Sequence, residues 1–114
     1  MGQVVVEHVH GAATRVGPTD TAFPHRSEGY NLLVLAQWLD AAATAANIEW
    51  ARETYARMQQ FVAGGRYVNY LDNDEPSDAV AAAYGANYPR LRMLKTKYDP
   101  HNFFRLNQNI LPLD

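Results

Sequence analysis

The stretch Arg66-Tyr67-Val68-Asn69-Tyr70-Leu71 organises the rest of this chain, because only here do aromatic and polar side chains crowd into a β-prone run. It lies between Gly64-Gly65 and an acidic turn at 72–76. Successive side chains of a strand point to opposite faces, so Tyr67 and Asn69 are predicted to project together and away from Tyr70. Such a strand would have one face in a core and the other in a pocket. The simpler interpretation is that Tyr and Val are good strand formers and nothing more.

Three extended segments are predicted before this stretch. Residues 3–10 are rich in β-branched side chains and predict a strand, and a short extended piece is expected at 14–16 before a turn at 17–20. The near-continuous apolar run at 30–38 predicts the central and most buried strand of the sheet. Asn31 is polar within that run, so it needs a partner from the protein or from a ligand, and Leu33 is the next residue on its face.

Three helices complete the predicted fold. Asp40 is placed to cap a long helix that continues to about Val62, and Ser77 is placed to cap a short one that ends at Tyr84. A further helix is predicted from near Asn87 to the Asp99-Pro100 step. Strands followed by helices predict an α+β fold, in which a partial, mainly antiparallel sheet carries helices on one side.

Composition limits the function classes. The chain has 114 residues, 47% of them hydrophobic, which suffices for one modest domain. A net charge of -2 gives no basis for binding nucleic acid or an anionic membrane, and no cysteine is present for a disulfide or a thiolate metal site. No apolar run is long enough to span a bilayer, and no leader pattern is present, so we expect a cytoplasmic protein.

Other combinations of residues in the sequence give only weak evidence for a functional site. His8 and His10 share a strand face, but two ligands do not make a metal site, so no metal is predicted. The basic side chains Arg90, Arg92, Lys95 and Lys97 are expected to form a solvated flank, with phosphate binding as the less favoured alternative. No serine, histidine and acid combination indicates a hydrolase.

An ordered series of motifs resembles the C-terminal segment of the berberine bridge enzyme-like FAD-linked oxidases. The resemblance rests on 67–70, Tyr-Val-Asn-Tyr; on 84–91, Tyr-Gly-x-Asn-Tyr-x-Arg-Leu; and on 95–105, Lys-x-Lys-Tyr-Asp-Pro-x-Asn-x-Phe-Arg, with Gln-Asn-Ile at 108–110. Upstream, 21–26, Thr-Ala-Phe-Pro-His-Arg, the strand ending in Trp38, and 47–52 are also similar, so the likeness extends from about residue 4.

The resemblance implies a domain organisation. In this family one domain binds FAD, and a second domain with an antiparallel sheet covers the flavin and forms the substrate pocket. Residues 1–114 resemble the last part of the second domain plus the C-terminal tail, and the FAD-binding domain has no counterpart here. FAD is therefore expected only together with that missing domain or chain, which is the implied partner besides a small-molecule substrate.

The resemblance also assigns candidate site residues. Tyr70 matches the tyrosine used as catalytic base, while Tyr67 and Asn69 match positions against the flavin, and Asn31 and Leu33 fall at substrate-facing positions. The reaction implied is oxidation of an alcohol or amine by hydride transfer to FAD, for which a phenolate can accept the proton. Because a free tyrosine has a pKa of about 10, such a base needs stabilisation of its phenolate. Asn31 could equally be a buried amide satisfied by the backbone.

A second hypothesis stays open beside the first. The chain could be a free-standing, non-catalytic α+β module for binding or oligomerisation, possibly a homodimer. An enzyme fragment should expose apolar surface around Tyr67, Asn69 and the tail from Phe103, whereas a module should cover that surface.

Overall fold

The computed structural model describes residues 1–71 and 78–113. The chain divides into two compact units, the first formed by Met1–His10 and Glu28–Gly64 and the second by Gly11–Ser27 and Gly65–Asp114. The predicted acidic turn at 72–76 and the predicted cap Ser77 lie outside the described residues.

The first unit is built on a two-stranded antiparallel sheet. Strand β1 (Gly2–Val9) pairs with β2 (Gly29–Ala36) in a register that sets Gly2 opposite Ala36 and Val9 opposite Gly29. The strands predicted at 3–10 and 30–38 and the α+β class are thus confirmed. The prediction that β2 is central and most buried is wrong for the described residues, because β2 pairs with β1 alone and none of its residues is fully buried. A central strand needs a neighbour on each edge, and an apolar sequence by itself cannot supply one.

Helix α1 (Thr44–Met58) follows the sheet and confirms the long predicted helix. Asp40 caps the preceding 3-10 turn, Ala41–Ala43, by accepting a hydrogen bond from the Ala42 amide at 2.9 Å. A further 3-10 turn, Gln59–Phe61, carries the helical path to Val62 as expected.

Near its middle, α1 lies against the sheet through Trp50. A Cβ atom on Gly2 would come within 2.6 Å of the Trp50 indole, so only glycine fits at that position of β1. Ala51, Tyr55 and Met58 are half-buried along the helix, at the spacing of one helix face. The aromatic edge of the helix therefore fixes its position on the strands.

The second unit begins with a turn where an extended piece was predicted. Gly11–Arg15 forms a 3-10 helix, and the prediction of an extended segment at 14–16 is wrong for residues 14 and 15. Gly11 has a φ of +66°, which turns the chain at once, and the Thr14 hydroxyl donates to the Gly11 carbonyl at 3.0 Å. Local side-chain bonding outweighs the weak strand preference of these residues.

Helices α2 (Ala79–Tyr84) and α3 (Tyr88–Tyr98) are joined by a 3-10 turn, Gly85–Asn87, and confirm the last two predicted helices. Asn87 is only 6% exposed. Its Nδ2 group donates to the carbonyls of Pro18 at 2.8 Å, Thr21 at 3.1 Å and Ala22 at 3.4 Å. One amide thus anchors the 18–22 loop to the start of α3.

The chain after α3 is held by a carboxylate. Asp99 accepts hydrogen bonds from the amides of Phe103 at 2.8 Å and Phe104 at 3.0 Å and forms an ion pair with Lys95. Lys95 also donates to the Phe104 carbonyl at 2.6 Å, so two of the motif residues bind the turn to the helix. Arg92 donates to the carbonyls of Leu111 and Pro112. Arg92 and Lys95 are therefore structural, whereas Arg90 and Lys97 are exposed, as the predicted solvated flank requires.

Acid should reveal the contribution of Asp99. The hydrogen bond from Lys95 lowers the pKa of this carboxyl below its ordinary value of 3.8, with help from the two amides. Well above that value the carboxylate is ionised in both folded and unfolded chains, and its stabilisation is complete. As the pH falls below 3.8 towards the folded-state pKa, the unfolded chain takes up the proton first, and the stabilisation is lost.

We therefore expect Asp99→Asn to lower Tm near neutral pH. The difference in Tm between this variant and the parent should shrink as the pH falls below 3.8. Thermal unfolding followed across pH measures the difference. Glu49→Gln, which removes a carboxylate from the exposed side of α1, is the matched control and should show no such convergence. A gap between Asp99→Asn and the parent that stays constant into strong acid would contradict the assignment.

Within 1–71 and 78–113, no helix is long and apolar enough to cross a membrane. The same residues contain no group of three or more histidines, cysteines or acids placed to hold a metal ion.

Candidate functional site

The tyrosine segment is a turn and not the predicted strand. Val68–Tyr70 forms a 3-10 helix, with the Tyr70 amide donating to the Tyr67 carbonyl at 2.9 Å and the Leu71 amide to the Val68 carbonyl at 3.3 Å. The prediction of a β-strand at 66–71 is therefore wrong. The described residues place no strand beside this segment, and two of its amides instead donate to carbonyls three residues back.

This turn brings together the three side chains that the resemblance singles out. Residues three apart in a 3-10 turn lie on the same side, and the rings of Tyr67 and Tyr70 meet edge to face with centroids 4.9 Å apart. Asn69 Nδ2 donates to the Tyr67 hydroxyl oxygen at 2.7 Å, which leaves the Tyr67 proton available to a further acceptor. Strand alternation predicts that Tyr70 faces away from Tyr67 and Asn69, and that prediction is wrong.

Tyr84 borders the same site from α2. A cavity of about 180 Å³ is lined by residues of the second unit that include Phe23, Tyr67, Asn69 and Tyr84. Burial raises the pKa of the Tyr84 hydroxyl above its ordinary value, and the neighbouring Tyr67 adds to the rise. Tyr84 therefore stays neutral at physiological pH, so it is better suited to a hydrogen-bonding wall than to the role of base. Tyr70 is 41% exposed.

The start of the turn is packed too closely for a side chain at Gly65. A Cβ atom there would lie 2.9 Å from Nδ1 and 3.0 Å from Cε1 of His25, whereas nothing lies within 4 Å of the corresponding position on Gly64. The two adjacent glycines thus differ sharply in what surrounds them.

We expect Gly65→Ala to lower the free energy of unfolding by about 1–3 kcal/mol, because His25 must move to make room for the methyl group. Gly64→Ala is the matched control and should leave stability within about 0.5 kcal/mol of the parent. Urea denaturation of the two variants measures both values. Equal stability of the two alanine variants would show that the approach of His25 does not constrain this turn.

Asn31 and Leu33 lie in the first unit, on strand β2. Asn31 pairs with Glu7 across the sheet, and its Nδ2 group donates to Glu7 Oε2 at 2.7 Å. The amide is therefore satisfied by a side chain, and not by the backbone as one prediction had it. Leu33 lies opposite Val5 on the same face and is half-buried. The sequence interpretation overlooked Glu7, although its place on the face of Val5 in β1 was a usable signal.

His8 and His10 stack on each other with ring centroids 4.3 Å apart, and His8 also stacks on Tyr30 at 4.7 Å. Glu28 lies 3.9 Å from His8. Parallel stacking turns the two imidazole faces together, which is an arrangement of packing and not of convergent metal ligands.

Comparison with known proteins places these residues in a wider context. Residues 66–111 match the family model described as berberine and berberine like. Berberine bridge enzyme-like 17 of Arabidopsis thaliana is 36% identical over an alignment of 118 positions. That alignment covers 90% of this chain and 22% of that protein. An uncharacterized FAD-linked oxidoreductase of Bacillus subtilis (strain 168), YgaK, is 37% identical over 103 residues, covering 90% of this chain and 22% of that protein.

Solved structures agree with the sequence matches. The crystal structure of aclacinomycin oxidoreductase superimposes with a TM-score of 0.83 at 27% identity, covering 98% of this chain and 26% of that chain. The fold is thus the class of α+β segment found in these oxidoreductases. Within that class, residues 66–111 are a berberine and berberine-like segment, and the predicted resemblance is confirmed. This chain spans about a fifth of the length of the curated relatives named here.

Proposed function

We propose that this chain is the C-terminal part of the substrate domain, with the returning tail, of an FAD-dependent oxidoreductase that oxidises an alcohol or amine. The observation that carries the proposal is the turn at 67–70, called the tyrosine turn below. There the side chains of Tyr67, Asn69 and Tyr70 meet beside a small cavity. Relatives named as FAD-linked oxidoreductases support the reaction class.

The chain presents side chains that suit one side of a planar cofactor. Tyr67 and Asn69 together offer an aromatic ring, a hydroxyl and an amide, which can contact the rim of a flavin. The basic side chains of Arg92 and Lys95 are engaged by the tail, and in this proposal the separate FAD-binding domain binds the phosphates. Bound FAD would supply the acceptor for a hydride from the carbon that bears the substrate hydroxyl or amino group.

In this proposal Tyr70 takes the proton. The substrate O–H or N–H proton moves to the Tyr70 phenolate as the C–H bond is lost, which leaves a carbonyl or imine product and a neutral phenol. The Tyr67 hydroxyl, which accepts from Asn69, keeps a proton to donate towards neighbouring negative charge. These groups orient the substrate and receive its proton.

Asn31 and Leu33 are proposed to contact the substrate from the sheet. Asn31 holds the Glu7 carboxylate at 2.7 Å, so the pair presents an acceptor as well as an amide. The Glu7 carboxylate held by Asn31 is a second candidate for the base, while Leu33 adds an apolar contact.

Exposed apolar side chains support a covering partner. Phe103, Phe104 and Leu106 follow α3 and are 79%, 76% and 87% exposed. Three large neighbouring apolar side chains are rarely left to solvent, so they favour a surface that the FAD-binding domain covers over a free-standing module.

Reconstitution tests the proposal. Co-expression of this chain with the FAD-binding domain of a berberine bridge enzyme-like relative, followed by purification on a tag on this chain, should give a yellow complex whose visible flavin absorption is bleached anaerobically by an alcohol or amine. Phe103→Ser with Phe104→Ser should reduce the flavin recovered. A colourless preparation that forms a stable homodimer and protects these phenylalanines would support the free-standing module instead.

A further inference from the structure

His25 binds two backbone segments at once. Its Nε2 atom lies 2.7 Å from the Arg66 carbonyl oxygen and 3.1 Å from the Ala83 carbonyl oxygen. Both partners are acceptors, so Nε2 carries the ring proton and donates to both. Arg66 directly precedes the tyrosine turn, and Ala83 is a buried residue of α2. A single imidazole therefore fastens the start of the turn to a helix.

The segment that contains His25 also contacts a tyrosine ring, through Phe23. Phe23 meets His25 edge to face at 5.4 Å and meets Tyr67 in the same way at 5.3 Å. Tyr67 then meets Tyr70 at 4.9 Å, again nearly perpendicular. Four rings thus form one continuous series from His25 to Tyr70, and each ring limits the orientation of the next.

We propose that His25 is a positioning residue for Tyr70, acting through its two carbonyl hydrogen bonds and through the ring series of Phe23 and Tyr67. The inference rests on the proposed function of Tyr70 as base. The family resemblance implies no more than a structural turn at 23–26, because nothing in the sequence shows that these residues contact 66 and 67.

The size of the effect follows from the geometry that proton transfer demands. A base must lie within hydrogen-bond reach of the proton that it removes, and a displacement of 1 Å is large on that scale. Without His25 the start of the turn loses its tie to α2, while the tyrosines themselves stay in the sequence. We expect the rate to fall and the flavin content to remain.

The test uses the FAD-containing complex with four variants of this chain. His25→Leu removes both hydrogen bonds, and His25→Gln restores an N–H donor at a similar reach. Phe23→Leu interrupts the ring series but keeps the hydrogen bonds. Thr96→Val is the matched control, since the Thr96 hydroxyl also makes two hydrogen bonds, to the Arg92 carbonyl and the Leu113 amide, away from the tyrosines.

The rate constant of flavin reduction should fall ~10- to 100-fold in His25→Leu and in Phe23→Leu, return to within ~3-fold of the parent in His25→Gln, and be unchanged in Thr96→Val. Flavin content should be the same throughout. As a readout independent of turnover, NMR of ¹³C-labelled tyrosine rings should show the Tyr67 and Tyr70 signals shifting in His25→Leu but not in Thr96→Val.

Parental rates in both leucine variants would overturn the inference, as would an equal loss in Thr96→Val, which would indicate general destabilisation. If His25→Leu fails to fold, Phe23→Leu and His25→Gln decide the matter. Tyr70→Phe, measured in parallel, separates the two proposals: a parental rate there overturns the role of Tyr70, whereas a slow Tyr70→Phe with fast leucine variants overturns only the positioning role.

Discussion

Replacing Tyr70 by phenylalanine should slow flavin reduction by ~10²- to 10⁴-fold in the complete enzyme, which is the usual contribution of a positioned general base. The substitution removes one oxygen atom and keeps the ring, so the edge-to-face contact with Tyr67 at 4.9 Å should survive. Substrate affinity and flavin content should then change little. Stopped-flow absorbance of the flavin under anaerobic conditions, with and without substrate, measures the rate.

Tyr98→Phe provides the matched control for that measurement. Tyr98 ends α3, is 73% exposed, and its ring lies 5.0 Å from the Lys97 ammonium on the same helix. Its loss of the same oxygen atom should leave the rate at the parental value. Should Tyr70→Phe also retain the parental rate, Tyr70 is not the base, and Glu7→Gln becomes the deciding variant, because Asn31 holds that carboxylate in place.

Replacing Asn87 by aspartate should lower the free energy of unfolding by about 3 kcal/mol, since a buried acceptor would then face acceptors. In the native structure the Asn87 amide donates to carbonyls of Pro18, Thr21 and Ala22. Aspartate has nearly the same shape but no N–H group, so it must either stay charged among carbonyl oxygens or become protonated. Urea denaturation at neutral pH, fitted to the free energy of unfolding, measures the loss.

Asn47→Asp is the control for that substitution. The Asn47 side chain donates a single hydrogen bond to the Ala43 carbonyl at 2.8 Å in the first turn of α1. Aspartate there loses one bond but gains a favourable interaction with the helix N-terminus, so the change should stay below about 1 kcal/mol. A similar cost at both positions would mean that the three carbonyl contacts of Asn87 have no special weight.

Local sequence signals predicted the regular elements well. The cap at Asp40, the glycine that follows Tyr84 and the proline after Asp99 each act on near neighbours, by a hydrogen bond or by a steric restriction. Each marks a helix boundary close to the observed one. Strand β1 was likewise predicted from its β-branched residues alone. These features depend on interactions within a few residues, which a single sequence displays.

The tyrosine segment shows where such signals fail. Tyrosine and valine favour strands, but a strand also needs a partner for its backbone, and the described residues supply none for 66–71. The resemblance assigned roles to Tyr67, Asn69 and Tyr70 separately, and only the structure shows that their side chains meet, so their roles stay predictions. Glu7 and His25 were missed as partners because their contacts, to Asn31 and to Arg66, join residues far apart in the chain.

By itself, the sequence determined the helices, the paired strands and the family motif, since each is written in neighbouring residues or in their order. Tertiary structure alone decided that Tyr70 turns towards Tyr67, that His25 fastens their turn to α2, and that Asn87 gathers the 18–22 loop. The physical reason is that hydrogen-bonding groups must find partners wherever the folded chain brings them, and partners dozens of residues away leave no local pattern to read.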